Sequence, residues 1–326
     1  MGISFSARQV PTSMSKTFLL TSESDPVGNA IASLLADSAG FERVFGDEER
    51  LTDLGAGDVL LVGDPFAEAG RDIDVTGPGF VQFLGCRPSV ELVDRLVESG
   101  TTVAGISPVI APRVANRVAG FGGPLRVKPG ANWGVIGLGE IGAEVARKVT
   151  ATGGSVVIAD IRTPRLGLLA ELNVRRYSLD LLVAGSDAIS VHVHLGPTAS
   201  PLISGRELGL MKPGAVLINT SHPSVVDEKA VVKALSAGTL AGYATDCPGE
   251  VISGVDESLA SPGKLFITTN PLTNQVGAAQ QIAKFVAANI QAFRDGSGVE
   301  GMIDLVDFPT VGDPSFWSSR MSPRQD

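Results

Sequence analysis

Residues 132–160 read NWGVIGLGEIGAEVARKVTATGGSVVIAD, and this stretch decides the fold. A short apolar run, Trp133 to Ile136, specifies a buried strand, and Gly137, Gly139 and Gly142 follow it at the spacing G-x-G-x-x-G. Each glycine has its own mechanical job. Gly137 lets the strand turn tightly into a helix, Gly139 lets the backbone approach a pyrophosphate, and Gly142 lets the helix pack close to the strand. Ile141, Val145 and Val149 fall on one helical face, and Gly153 and Gly154 end the helix. Its first amides, with the positive end of the helix dipole, then face whatever anion binds there. A second strand, Ser155 to Ile158, leads to Asp160, about 20 residues past the glycines, where an acid accepts hydrogen bonds from a ribose 2'-hydroxyl and repels a 2'-phosphate. The cofactor expected is therefore NAD, held by Gly137, Leu138, Gly139, Glu140, Ile141 and Gly142, with Asp160, Ile161 and Arg162 at its ribose. A glycine-rich turn alone is a weak signal. Set between two strands, with a helix inside and an acid at the end, it is a strong one.

At 326 residues the chain is long for one core and comfortable for two domains. No apolar run approaches the ~20 residues of a membrane helix, so no membrane partner is expected. Residues 1–16, MGISFSARQVPTSMSK, lack the apolar core of a signal peptide and read as a disordered extension, and residues 311–326 read as a loose tail. The 2 cysteines, Cys86 and Cys247, read as free thiols in a reducing cytoplasm rather than a disulfide framework. Nothing has metal-ligand spacing, and a net charge of -9 argues against a nucleic-acid partner.

Ahead of the glycine motif, strands are expected at Phe18 to Leu20, Val59 to Val62, Phe80 to Leu84 and Thr101 to Ile106, with helices at Val27 to Ala36 and after Pro88. Such alternation predicts a parallel sheet covered by helices. Between Ser107 and Lys128, Pro108, Pro112, Pro124 and several glycines read as breaking regular structure at a domain boundary. Beyond Asp160, strands are expected at Val174 to Tyr177, Ala188 to Val193, Ala215 to Asn219, Gly242 to Thr245 and Leu265 to Thr268. A helix over Glu228 to Ser236 takes Asp227 as N-cap and closes near Gly238. Ile282, Phe285, Val286, Asn289, Ile290 and Phe293 lie at helical spacing in a long segment from about Gln275, which leads the chain back to the first domain.

The segments VIGLGEIG (Val135 to Gly142), SDAISVHVHLGPTASPLI (Ser186 to Ile203), LMKPGAVLINTS (Leu210 to Ser221), VDEKAVVKAL (Val226 to Leu235) and the Asp246 segment resemble the D-isomer-specific 2-hydroxyacid dehydrogenases, relatives of phosphoglycerate, glycerate and formate dehydrogenases. The resemblance implies an α/β fold: a Rossmann-type doubly wound parallel-sheet cofactor domain inserted in a smaller flavodoxin-like αβ substrate domain, with the active site in the cleft between them. On this chain the substrate domain is expected at residues 17–108 plus 292–310 and the NAD-binding domain at 109–291. A homodimer is implied too, although the arm that builds it is cut down to Ala111 to Lys128. The resemblance further implies an arginine that clamps a substrate carboxylate, a histidine that gives a proton to the nascent hydroxyl, and a glutamate paired with that histidine. Here the arginine position after Ile218, Asn219, Thr220 and Ser221 is His222, the histidine position is Asn270, and Glu250 stands one residue short of the usual spacing after Asp246.

His192, Val193 and His194, with Thr220 and Ser221, are expected to border the cofactor, and Asp246 to lie near the nicotinamide carboxamide. His192 also reads as a structural group, and His194 as a filler where the family usually has proline. His222 either contacts substrate or is vestigial, and as a cation it lacks the planar fork that suits a carboxylate. Arg87 either replaces the lost charge from a shortened loop or is simply solvated, and Glu250 either supports a histidine or is exposed. Two readings of function follow: an NAD-dependent oxidoreductase of a small hydroxy or keto acid with His222 and Glu250 as its nominated pair, or an NAD(H)-binding regulator without turnover. A third, bound NAD used for non-standard chemistry, has no residue that selects it.

Overall fold

The computed structural model describes residues 15–45, 51, 53–63, 73–85, 90–161, 164, 166–193, 200–255, 259, 263–268 and 277–303. The chain divides into two compact units, Met1–Ile106 with Thr273–Asp307, and Ser107–Leu272 with Phe308–Asp326.

The first unit carries β1 (Thr17–Leu20), α1 (Pro26–Leu35), β2 (Phe41–Val44), β3 (Val59–Val62), β4 (Phe80–Phe83), α2 (Val90–Glu98), β5 (Thr102–Ala104) and a last helix, α10 (Ala278–Asp295). Its five strands are all parallel in the order β2-β1-β3-β4-β5, the flavodoxin-like arrangement. The edge strand β2 is absent from the sequence reading, because Phe41, Glu42, Arg43 and Val44 form no apolar run and only Val44 is buried. The return to this unit comes at 273, ahead of α10, rather than at 292. Helix α10 belongs wholly here: it packs on α1, Phe293 meets the Phe80 ring at 5.4 Å, and its buried Asn289 donates to Gln82 Oε1 at 2.8 Å.

The second unit carries α3 (Ser107–Phe121), β6 (Asn132–Ile136), α4 (Glu140–Ala151), β7 (Ser155–Ala159), α5 (Leu166–Leu172), β8 (Arg175–Arg176), α6 (Leu179–Gly185), β9 (Ala188–Val191), α7 (Gly205–Leu210), β10 (Val216–Asn219), α8 (Glu228–Ala237), β11 (Gly242–Thr245), α9 (Glu250–Ser253) and β12 (Leu265–Ile267). Seven parallel strands run β12-β11-β10-β9-β6-β7-β8, so the order reverses between β6 and β9 in the Rossmann manner. Alternate residues of each strand feed opposite faces. On β10, Val216 and Ile218 join a layer with Val114 and Val118 of α3 and Val145 and Val149 of α4, whereas Leu217 joins Leu182 of α6 and Val231 of α8 on the other side. Asp227 caps α8 through Ala230 N–H, and Gly238 closes it in the left-handed conformation.

Helix α3 corrects the sequence reading, which placed broken structure there. Pro108 lies in the first turn, where a helix has no amide hydrogen bond to lose, and exposed Pro112 removes only one. Burial of Ala111, Val114, Ala115, Val118 and Phe121 outweighs that loss. Among the described residues no helix is long and apolar enough to cross a membrane, and no group of acidic, histidine or cysteine side chains could hold a metal.

Asn289 also donates to the carbonyl of Glu300 and accepts from its amide, closing the segment after α10 onto the sheet. Asn289→Ala should leave buried Gln82 Oε1 and two part-buried backbone groups of Glu300 without their partner and lower the urea-unfolding free energy by about 1–3 kcal/mol.

Candidate functional site

Because the strands of the second unit all point one way, the residues that follow them line a single edge of the sheet. Gly137 ends β6 at φ +89°, in the left-handed region that favours glycine. A Cβ there would strike the carbonyl oxygen of His192, which follows β9. Gly142, in the first turn of α4, lies so close to the Gly137 carbonyl oxygen that a Cβ would overlap it. The start of α4 is thus seated on the end of β6 by backbone contact alone. Gly139 is the N-cap and offers no capping side chain, Leu138 before it is buried, and Glu140 opens the helix. Ile141 packs into the layer shared with α3.

Asp160 follows β7 and is 4% exposed. Its Oδ2 accepts from the Leu138 amide at 2.6 Å, and its carbonyl accepts from Arg176 Nη2 at 2.8 Å and Nε at 3.2 Å. A carboxylate buried beside the amino end of a helix gains from the dipole while it fixes the glycine turn. Ile161 packs against the opposite apolar layer. These residues fit a dinucleotide: two places where a side chain would block the turn, an uncapped helix start, and an acid aimed at the turn. Among the described residues the Thr220 hydroxyl oxygen, buried at the same edge, has no hydrogen-bond partner.

The other half of the edge is built on buried Asn219. Its Oδ1 accepts from the Ser221 amide at 3.0 Å and its Nδ2 donates to the His222 carbonyl at 2.9 Å, while Ser221 Oγ donates to the Val191 carbonyl at 2.6 Å. His192 is half-buried with its Nε2 at 3.1 Å from Ser190 Oγ, and Val193 is buried. His222 is exposed and caps the 3-10 turn Pro223–Val225: Nδ1 accepts from the Ser224 amide at 3.2 Å and stands 2.7 Å from Ser224 Oγ. No hydrogen bond joins His222 to Glu250, which is exposed at the first position of α9. The α9 amides of Gly249 and Ile252 instead donate to buried Glu228 at 2.6 and 3.0 Å. Cys247, in no disulfide, lies beside Thr245 and the Asn219 carbonyl, and burial pushes the nearby Tyr243 phenol well above its ordinary range. Arg87, Arg162, His194 and Asn270 lie outside the described residues.

Residues 109–269 match the family model described as "D-isomer specific 2-hydroxyacid dehydrogenase, NAD binding domain". The chain belongs to the D-isomer specific 2-hydroxyacid dehydrogenase family. It is 33% identical over 168 residues to a glyoxylate reductase of Korarchaeum cryptofilum, a match covering 51% of this chain and 50% of that one. The chain thus spans about half the length of the curated relatives it matches. Among solved structures, a glyoxylate reductase from Paecilomyes thermophila has a TM-score of 0.69 at 19% identity, covering 89% of this chain and 99% of that chain. An NADPH-dependent glyoxylate/hydroxypyruvate reductase from Sinorhizobium meliloti, in complex with NADP and malonate, has a TM-score of 0.69 at 21% identity, covering 91% and 99%. Both likenesses are of fold.

Within residues 107–272 the sequence reading passed over three side chains: Asn219 and Glu228, which hold backbone, and Arg117 of α3. Arg117 Nη1 meets Asp246 Oδ2 at 2.7 Å just past the end of β11. Its only sequence signal was helical spacing from Arg113, in a segment read as irregular.

Gly142→Ala should push α4 off β6, lower stability by about 2–4 kcal/mol and remove measurable dinucleotide binding. Thermal melting and calorimetry on one preparation test both.

Proposed function

We propose that the protein is an NAD-dependent oxidoreductase of small 2-hydroxy or 2-keto acids whose catalytic set is rearranged around His222. The observation that carries the cofactor half is the buried Asp160 carboxylate, tied to the glycine turn at Leu138. A 2'-phosphate would bring a second anion to that carboxylate, whereas a 2'-hydroxyl donates to it. The substrate class is supported by relatives described as glyoxylate reductase and glycerate dehydrogenase. Cys247, which is in no disulfide, suits a reducing cytoplasm.

The nicotinamide, when bound, supplies the hydride donor or acceptor. The chain's own part is to orient the substrate and handle one proton. In the neutral ring, Nδ1 of His222 accepts from the Ser224 amide, so Nε2 carries the hydrogen and donates to a substrate oxygen. To give up a proton outright the ring takes a second one at Nδ1. Ser224 Oγ, at 2.7 Å, is the acceptor that holds it. Ser224, rather than Glu250, is thus the partner that orients His222. A second reading, an NAD(H)-binding regulator without turnover, is favoured by the exposed His222 ring and the missing bond to Glu250.

Asp160→Asn should weaken NAD about tenfold to a hundredfold, since a charged acceptor of ribose hydroxyls is lost, and weaken NADP less. Calorimetry with both nucleotides reads this, and equal effects on the two would remove Asp160 from the ribose. His222→Ala should abolish NADH oxidation with glyoxylate or hydroxypyruvate while NAD affinity stays within about twofold. Full activity in that variant excludes His222 as the acid. A wild type that binds NADH but oxidises none across a broad carbonyl panel favours the regulator.

A further inference from the structure

The Arg117–Asp246 pair takes no part in the proton handling at His222. Leu125, beyond α3, lies against Gly242 at the start of β11, Phe121 meets the Phe266 ring at 5.7 Å, and Arg117 reaches Asp246 past the end of β11. Helix α3 therefore runs antiparallel to β11 and delivers a guanidinium to the carboxyl edge of the sheet. The two side chains are 10% and 11% exposed. Removing two charges from water is costly, and a buried pair is weak evidence of a stabilising purpose.

The location points to another purpose. A dinucleotide lies across the point where strand order reverses, with one nucleoside over each half of the sheet. Asp160 marks the β6-β7-β8 half, and Asp246 is an acid just past β11 on the other half, where the second nucleoside falls. That nucleoside carries a ring that is cationic when oxidised and neutral when reduced. Asp246 alone would set a negative field there and favour the oxidised form. We propose that Arg117 cancels the Asp246 field at the nicotinamide and thereby sets the relative affinity for oxidised and reduced cofactor. The inference rests on the NAD reading and deepens it. Arg117 acts through Asp246 as a positioning and charge-balancing residue, and it is not a substitute carboxylate clamp, since its charge is already matched.

The test is calorimetric titration of the full chain with NAD+, NADH and ADP-ribose, the last lacking the nicotinamide. Arg117→Gln should raise the ratio Kd(NADH)/Kd(NAD+) about tenfold, since one uncompensated carboxylate then faces a ring that is cationic in one form and neutral in the other. Its ADP-ribose affinity should hold within about twofold. Asp246→Asn should move the ratio the other way, and Arg117→Lys, which keeps the charge, should restore it. Equal weakening of all three ligands in Arg117→Gln assigns Arg117 a structural role and overturns the inference, as does an unmoved ratio with all three still bound. A wild type that binds none of the three removes the NAD reading itself, and the inference with it.

Discussion

The backbone contact between Gly142 and Gly137 is the constraint on which the cofactor half of the edge depends. It brings the first turn of α4 onto the end of β6 with no side chain between them. The attraction of a helix terminus for an anion falls off within one turn, so the position of those amides matters to about an ångström. Asp160 completes the arrangement from β7 by holding the Leu138 amide at 2.6 Å. Two strands and a helix are thereby locked at one corner, with the aspartate serving both the turn and the site beside it.

The other half of the edge is fixed differently. Asn219 ties the Ser221 amide and the His222 carbonyl to the end of β10, and Ser221 reaches across to β9. None of these bonds uses the side chain at 222. The loop can therefore keep its shape while that side chain changes, which is how a histidine can stand in a frame where the family resemblance implies an arginine. Glu228 does the same for α9, since its buried carboxylate takes the leading amides and leaves Glu250 outward.

Much of this was legible in the sequence because many of the signals in both units are local. Val59–Val62 and Gly242–Thr245 are short apolar or small-residue runs between breakers, and their bounds coincide with the strands. The glycines carry their geometry in their identity, as the positive φ of Gly137 shows. What escaped were elements whose stability is tertiary. Helix α3 contains two prolines and reads as broken until its buried face is seen against α4. Strand β2 is half-charged and persists because β1 pairs with it. Arg117 was invisible for the same reason: its significance lies in Asp246, 129 residues away.

The pairing of His222 with Ser224 bears on what exchange of a guanidinium for an imidazole does. Guanidinium is a permanent cation with five donors and no acceptor, so it could not accept the Ser224 amide or cap the 3-10 turn. Imidazole does so through Nδ1, and this fixes which nitrogen of the neutral ring carries hydrogen. A second proton at Nδ1 must displace the Ser224 amide and turn to the Ser224 hydroxyl, a rearrangement confined to two residues. The position where the family resemblance implies a clamp thus carries a group that can change its proton count in place of one that binds a carboxylate in two places at once. On the proposed function, the enzyme holds its substrate's carboxylate with other groups, and His222 supplies the proton for a keto oxygen at the loop where the family resemblance implies a clamp.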